Sequence, residues 1–156
     1  MYKGLVIAAA LGLGVMMPLS GQAQEARCVL LIKEVYGRKF YPANVDAPLQ
    51  ACTRIIDAGQ AGKAELAAAL ANRASIYLVK DDLVAADKDA ATALELDPDH
   101  APAHIARSQV LLRKGSWDRA LLETNISLKL DPTNDWIYNH RGTIEQNFAL
   151  TGASGD

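Results

Sequence analysis

The sequence predicts an all-α solenoid of stacked helix–turn–helix units, because two motifs recur at a spacing of 34 residues. The pattern arginine, small, polar, β-branched apolar occupies residues 73–76, 107–110 and 141–144. The pattern Leu-x-Leu-Asp-Pro occupies residues 94–98 and 128–132. A period of this length indicates one supersecondary unit stacked on copies of itself, since a single unit cannot bury its apolar face. Aromatic residues make up only 6% of the chain and alanine is abundant, which suits helix-on-helix packing with small contact residues.

The first 23 residues have the organisation of a secretory signal. Lys3 supplies a positive charge, residues 4–19 form an apolar run, and Gly21 and Ala23 place small side chains where a signal peptidase reads them. We therefore expect residues 1–23 to be removed on export, which would leave no stable membrane span. An uncleaved anchor is the alternative, although the run is short for the ~30 Å hydrocarbon core of a bilayer.

Residues 24–65 form an N-terminal segment that contains both cysteines. In an oxidising compartment an even pair favours a disulfide, so we expect Cys28 to be bonded to Cys52. The bridge would close a loop of about 25 residues, which a chain-entropy treatment values at roughly 3–4 kcal/mol. Two buried free cysteines acting as small apolar side chains are the alternative. Residues 29–43 fit a strand or a helix, and residues 49–59 look like the second helix of an earlier unit.

Five helices follow, each indicated by apolar residues that recur every three or four positions. They are expected over residues 66–80, 83–96, 102–114 and 117–131, and from about residue 135. Pro102 suits a first helical turn, where its missing N–H costs nothing. The last helix has no second helix after it and is predicted to be a terminal cap. We therefore predict a repeat domain over residues 66–148 and a flexible tail over residues 149–156.

The repeat positions resemble the tetratricopeptide repeat (TPR) family. Its small, large, small and proline positions are filled here by pairs 34 residues apart: Ala74 and Ser108, Tyr77 and Leu111, Ala86 and Ala120, Pro98 and Pro132. The resemblance implies two full units with flanking helices. His104, Thr124 and Ser127 depart from the family's usual choices. The run Ala-Cys-Thr-Arg at residues 51–54, behind a signal segment, is similar to small exported bacterial members, which implies a periplasmic or secreted protein whose cysteines brace the first helices.

No set of residues fits catalysis, a metal or a cofactor. His100 and His104 are four residues apart, but Pro102 lies between them and no third ligand is near. The serines lack a nucleophile-elbow context, and there is no glycine-rich phosphate loop. A formal net charge of −2 provides no basic footprint for nucleic acid. We therefore expect a non-enzymatic protein without a cofactor.

The family's geometry implies a concave groove lined by the first helix of each unit. The residues predicted to line it are Asn72, Ser75, Val79, Ile105, Gln109, Leu112, Arg113, Trp136, Asn139 and His140. Side-chain amides there would fix the backbone of a bound peptide while apolar residues anchor its side chains. This predicts an adaptor whose partner is a protein or peptide. The open alternative is that these residues are ordinary solvent-facing side chains without a dedicated ligand.

Two further expectations concern the partner. The lysine-and-asparagine clamp with which some family members hold C-terminal carboxylates is not reproduced in this sequence, which argues against a receptor for chaperone tails. A second function class is a self-assembling structural subunit of an envelope complex. Self-association would bury Trp136 and Tyr138 against a neighbouring copy.

Overall fold

The computed structural model describes Cys28 and residues 45–150, and within residues 45–150 it contains six α-helices and no strand. The helices are α1 (Asp46–Ala58), α2 (Lys63–Val79), α3 (Leu83–Leu96), α4 (Ala101–Arg113), α5 (Trp117–Leu130) and α6 (Asp135–Leu150). The all-α prediction is therefore confirmed. The predicted signal (residues 1–23), the ambiguous residues 29–43 and residues 151–156 lie outside the described part.

The helices stack in order along the chain. α2 packs on α3 and α4 packs on α5, and each pair is joined by a three-residue turn that makes it antiparallel. α4 also contacts α2 and α3, so the two pairs form consecutive units. α1 covers α2 at one end, and α6 covers α5 at the other. The helix α6 continues to Leu150, two residues into the predicted tail.

The turns inside the two units are equivalent. Asp81 and Gly115, which are 34 residues apart, adopt positive φ values of 61° and 75°. In each turn a backbone N–H then donates to a carbonyl five residues back, Asp82 to Tyr77 and Ser116 to Leu111, both at 2.9 Å. Glycine takes this left-handed conformation without steric cost, whereas aspartate tolerates it less well.

Alanine fills the places where helices cross. Ala86 lies against Leu78 and Val110, and all three belong to one buried cluster. Ala120 occupies the equivalent place in the second unit and packs against Leu111 and Ile144. Ala86 and Ala120 are both fully buried, so these crossings leave space only for a methyl group.

A disulfide between Cys28 and Cys52 joins the N-terminal segment to α1, with 5.3 Å between the two Cα atoms. Both cysteines are buried in a cluster with Ile55 of α1 and with Ala69 and Ile76 of α2. The bridge therefore sits inside the α1–α2 contact and braces these two helices.

Candidate functional site

A cleft opens on the face shared by α2, α4 and α6, the first helices of the successive units. Its walls are Ser75 of α2, Ile105 of α4 and Trp136 of α6. The rest of the lining is Ala101, Pro102, Asp131, Asn134 and Ile137. Apolar side chains thus dominate the cleft, its one ionisable group is a carboxylate, and none of its lining residues is a lysine or arginine.

The turn between α5 and α6 forms the polar rim of the cleft. Asp131 and Pro132 end α5, since proline disfavours helix in the residue before it. The Asp131 carboxylate accepts hydrogen bonds from Thr133 Oγ1 and Asn134 Nδ2, each at 3.1 Å. The Asn134 carbonyl accepts from the Ile137 N–H at 3.0 Å, which starts α6. These bonds fix the position of Asp131 and Asn134 beside the opening.

The apolar floor of the cleft is held by packing on both sides. Ile105 forms a buried cluster with Leu128 of α5 and Ile137 of α6, and Trp136 packs against this cluster. The Trp136 ring also stacks on the His140 ring, with 5.1 Å between centroids and 9° between planes. The buried His140 ring therefore fixes the position of the Trp136 ring, which forms one wall of the cleft.

Three of the predicted groove residues, Ser75, Ile105 and Trp136, line this cleft together. Four others lie on the same helices outside the lining and are at least partly exposed: Val79, Gln109, Leu112 and Asn139. Asn139 occupies in α6 the repeat position that Ile105 occupies in α4. Arg113, at the far end of α4, pairs with Asp81 in the α2–α3 turn.

Asn72 and His140, also predicted for the groove, are buried between helices. The exposed fractions of these residues are 6% and 9%. Asn72 Nδ2 donates to Cys28 Sγ at 3.5 Å, so its amide serves the disulfide region. His140 Nε2 lies 3.1 Å from Ser108 Oγ. Because their polar atoms have interior partners, we assign both residues to packing.

His140 belongs to a hydrogen-bonded triad that joins α4, α5 and α6. Besides His140, Ser108 Oγ contacts Thr124 Oγ1 at 2.7 Å and donates to the Ala120 carbonyl at 2.9 Å. Thr124 Oγ1 donates to the same carbonyl at 2.9 Å, and the tautomer of the neutral His140 ring decides which atom donates in the Ser108–His140 bond. Burial lowers the pKa of His140 to about 4, which keeps the ring neutral at pH 7.

The triad has an apolar counterpart one repeat earlier. Subtracting 34 from Ser108, Thr124 and His140 gives Ala74, Ala90 and Ala106, which form a buried cluster of their own. The same three positions are thus filled by three methyl groups at one interface and by a hydrogen-bonded network at the next. Thr124, a departure from the family pattern, is explained by this network. Ser127, another departure, donates to the Ala101 carbonyl at 2.9 Å.

Each unit also contains an ion pair between its two helices, across 16 residues of sequence. Asp89 accepts from Arg73 Nε at 2.6 Å and from Nη2 at 2.9 Å, and this bond raises the pKa of Arg73. In the second unit Arg107 Nε lies 3.3 Å from Glu123 Oε1. The sequence displays these arginines in register, but it does not reveal their partners, because only the helix crossing brings the acids opposite them. Asp89 is therefore a buried residue and not an outer surface charge.

Glu123 joins His104 to the second ion pair. His104 Nδ1 lies 2.7 Å from Glu123 Oε2, and its Nε2 lies 2.9 Å from the Pro98 carbonyl. Both partners are acceptors, so this environment favours the doubly protonated ring, and the hydrogen bond to Glu123 raises the pKa of His104. His104, the third departure from the family pattern, thus ties α4 to α5 and to the α3–α4 turn.

Within Cys28 and residues 45–150, no three histidine, cysteine or acidic side chains come together in a way that could hold a metal ion. In the same part of the chain, no helix has the length and apolar character needed to cross a bilayer.

The fold is that of a TPR domain by comparison with solved structures. The TPR domain of Sgt2 from Aspergillus fumigatus matches with a TM-score of 0.65 and 13% identity, over 89% of this chain and 85% of that one. The first TPR domain of Spaghetti (RPAP3), bound to the HSP90 peptide SRMEEVD, matches with a TM-score of 0.64 and 20% identity, over 83% and 95%. The second TPR domain of human RPAP3, in complex with the HSP70 peptide SGPTIEEVD, matches with a TM-score of 0.58 and 25% identity, over 80% and 94%.

The sequence matches no protein-family model, and it matches no curated protein. The structural likeness therefore establishes the TPR solenoid, while the ligand has to be argued from the cleft itself.

Proposed function

We propose that this protein is a non-catalytic adaptor that holds a peptide or protein segment in the cleft between α2, α4 and α6. The single observation that carries the proposal is that residues from three consecutive first helices, Ser75, Ile105 and Trp136, converge on one apolar opening. Two of the structurally similar TPR domains hold peptides. An apolar concavity with a few fixed polar groups at its rim is the usual form of a recognition site.

We also propose that the protein works after export, in the bacterial periplasm or outside the cell. The buried disulfide supports this location, because such bonds persist in oxidising compartments. After cell fractionation, the protein should be found in the periplasm or the medium, should have no free thiol when alkylated under denaturing and non-reducing conditions, and should begin near Gln24. Two alkylated cysteines would contradict the oxidising location.

Site-specific photo-crosslinking tests the binding function. A photoreactive side chain at Asn139, which is exposed on α6 beside the cleft, should capture a discrete partner in cells. The matched control is the same side chain at Leu122, which is 60% exposed on α5. Capture from position 122 and not from position 139 would contradict a binding site on the first helices.

A self-assembling structural subunit is the second candidate, favoured by the outer side of α6. Tyr138 on α6 and Leu150 at its C-terminal end are 45% and 78% exposed, and no second helix covers α6 within the described residues. Sedimentation equilibrium between micromolar and millimolar concentration separates the two functions. A monomer throughout this range supports the adaptor. An oligomer that dissociates when Tyr138→Glu is introduced supports self-assembly.

A further inference from the structure

The charged side chains in the two turns beside the cleft are carboxylates, which restricts the kind of peptide that can bind. The two turns beside the opening, residues 97–100 and 131–134, contain the carboxylates of Asp97, Asp99 and Asp131, and Asp135 begins α6 directly after them. Neither turn contains a lysine or arginine. Burial lowers the pKa of His100, so its ring does not offset the neighbouring carboxylates at neutral pH.

The basic residues on the flanking helices either form ion pairs or lie outside the cleft lining. Arg107 pairs with Glu123, and Arg141 Nε lies 3.5 Å from Glu145 Oε1 with its guanidinium over the Tyr138 ring. Arg113 lies at the opposite end of α4 and pairs with Asp81. Lys129 belongs to α5 and is not part of the cleft lining. An acidic peptide would therefore meet Asp131 at the rim with no cation in the cleft to receive its charge.

We propose that the cleft binds a peptide segment that inserts one aliphatic or aromatic side chain beside Ile105 and Trp136 and carries a lysine or arginine next to it, at Asp131. This inference rests on the proposed adaptor function and names the ligand class of the same site. The apolar floor supplies the anchor, since burial of a large side chain removes apolar area from water. The carboxylate at the rim selects the neighbouring charge, because complementary charge steers association and disfavours wrong partners.

Three pools of fluorescein-labelled ten-residue peptides test the ligand class. Each has three fixed central residues, Lys-Leu-Lys, Glu-Leu-Glu or Lys-Ala-Lys, and the other positions are randomised among Ala, Ser, Gly and Asn. Fluorescence anisotropy with the protein recovered after expression of the full chain should give the Lys-Leu-Lys pool at least tenfold tighter binding than either other pool. The preference over Glu-Leu-Glu should shrink as salt is raised, because the Asp131 carboxylate is only partly buried and salt screens its charge.

A charge change at the rim provides the matched variant. Asn134→Lys places an ammonium beside the Asp131 carboxylate, and should reduce the preference of Lys-Leu-Lys over Glu-Leu-Glu by at least fivefold or reverse it. Gln60→Lys makes the same charge change at an exposed residue between α1 and α2, and should leave the preference unchanged. Equal binding of the pools, tighter binding of the Glu-Leu-Glu pool, or no binding of any pool would overturn the ligand class. The adaptor function would stand in each case if position 139 still captured a partner, and would fall only if it did not.

Discussion

Ser108 and His140 are hydrogen-bonded across 32 residues of sequence, with 3.1 Å between Ser108 Oγ and His140 Nε2. The bond ties the first helix of the second unit to α6, beneath the Trp136 wall of the cleft. The preceding interface has Ala74 and Ala106 at these two positions. The second interface therefore depends on satisfying polar groups as well as on apolar contact.

Ser108→Ala should lower the free energy of unfolding by about 1–3 kcal/mol, because it leaves the buried His140 Nε2 without its hydrogen-bond partner. Thr143→Ala is the matched control, since that hydroxyl is exposed and donates only to a carbonyl of its own helix. Its effect should stay within about 0.5 kcal/mol. Urea unfolding of both variants measures the difference, and equal losses would show that the triad contributes nothing specific.

His140 should make the protein less stable in acid. Its pKa is about 4 in the folded protein and 6.5 in an unperturbed histidine, so between these values the unfolded chain binds a proton that the folded chain does not. The free energy of unfolding should fall by roughly 3 kcal/mol from this group as pH decreases from 6.5 to 4, and the loss should level off below 4. Above pH 6.5 this histidine is neutral in both states and does not make the free energy of unfolding depend on pH.

Urea unfolding at several pH values between 7.5 and 4 measures this slope, and the difference between the wild type and His140→Gln isolates the histidine from the carboxylates. His104 has the opposite sign, because Glu123 raises its pKa. Its stabilisation is complete below 6.5 and is lost as pH rises through the raised folded value. His104→Gln should therefore make the acid loss steeper. Identical pH profiles for the wild type and His140→Gln would contradict the buried neutral imidazole.

Ala120→Leu should destabilise the protein by roughly 1–3 kcal/mol, because a larger side chain overpacks the crossing with Leu111 and Ile144. Ala86→Leu should have a similar effect at the equivalent crossing against Val110. Ala64→Leu is the control, since Ala64 is exposed in the first turn of α2. Thermal unfolding compares the three, and a neutral result at Ala120 would mean that the crossing can open.

The helices could be predicted from the sequence because their signals are local. The spacing of apolar residues, Pro102 in a first turn and Asp131-Pro132 at a helix end each report on a few neighbouring residues. The 34-residue spacing then shows that the same local pattern recurs along the chain, which predicts how successive helix pairs stack. Ser75, Ile105 and Trp136 could be placed on one surface for the same reason.

The interior partners could not be predicted, because they depend on which residues meet where helices cross. Thr124 stood out as unusually polar, yet its partner Ser108 is 16 residues away on another helix. Asp89 has the sequence context of a surface charge, but the α2–α3 crossing brings Arg73 opposite it. His140 is polar on a helix predicted to face the groove, and a small rotation about that helix decides whether it points outward or inward.

Asp89→Asn should cost about 2–4 kcal/mol, because it leaves the largely buried Arg73 guanidinium without a carboxylate. Asp87→Asn, two residues away on the same helix, removes a pair with Lys114 in which both side chains are about 40% exposed. Its cost should be below about 1 kcal/mol, since exposed ion pairs contribute little. Chemical unfolding at low and at high salt tests the contrast. A salt-sensitive and equally small loss at both positions would show that the Arg73 pair behaves as a surface pair.

Two glycine substitutions should have opposite signs. Gly115 has a φ of 75°, so Gly115→Ala forces a side chain into the left-handed region and should destabilise by about 1 kcal/mol. Gly142 lies within α6, and a Cβ added there meets nothing within 4 Å, so Gly142→Ala should stabilise by about 0.5–1 kcal/mol. Ala74 and Ser108, the residues at the equivalent position of the two units, are fully buried, whereas Gly142 is exposed because no second helix covers α6 within residues 45–150. Thermal unfolding measures both variants. A destabilising Gly142→Ala would mean that another surface packs closely on α6 in solution, which would favour self-assembly over the adaptor.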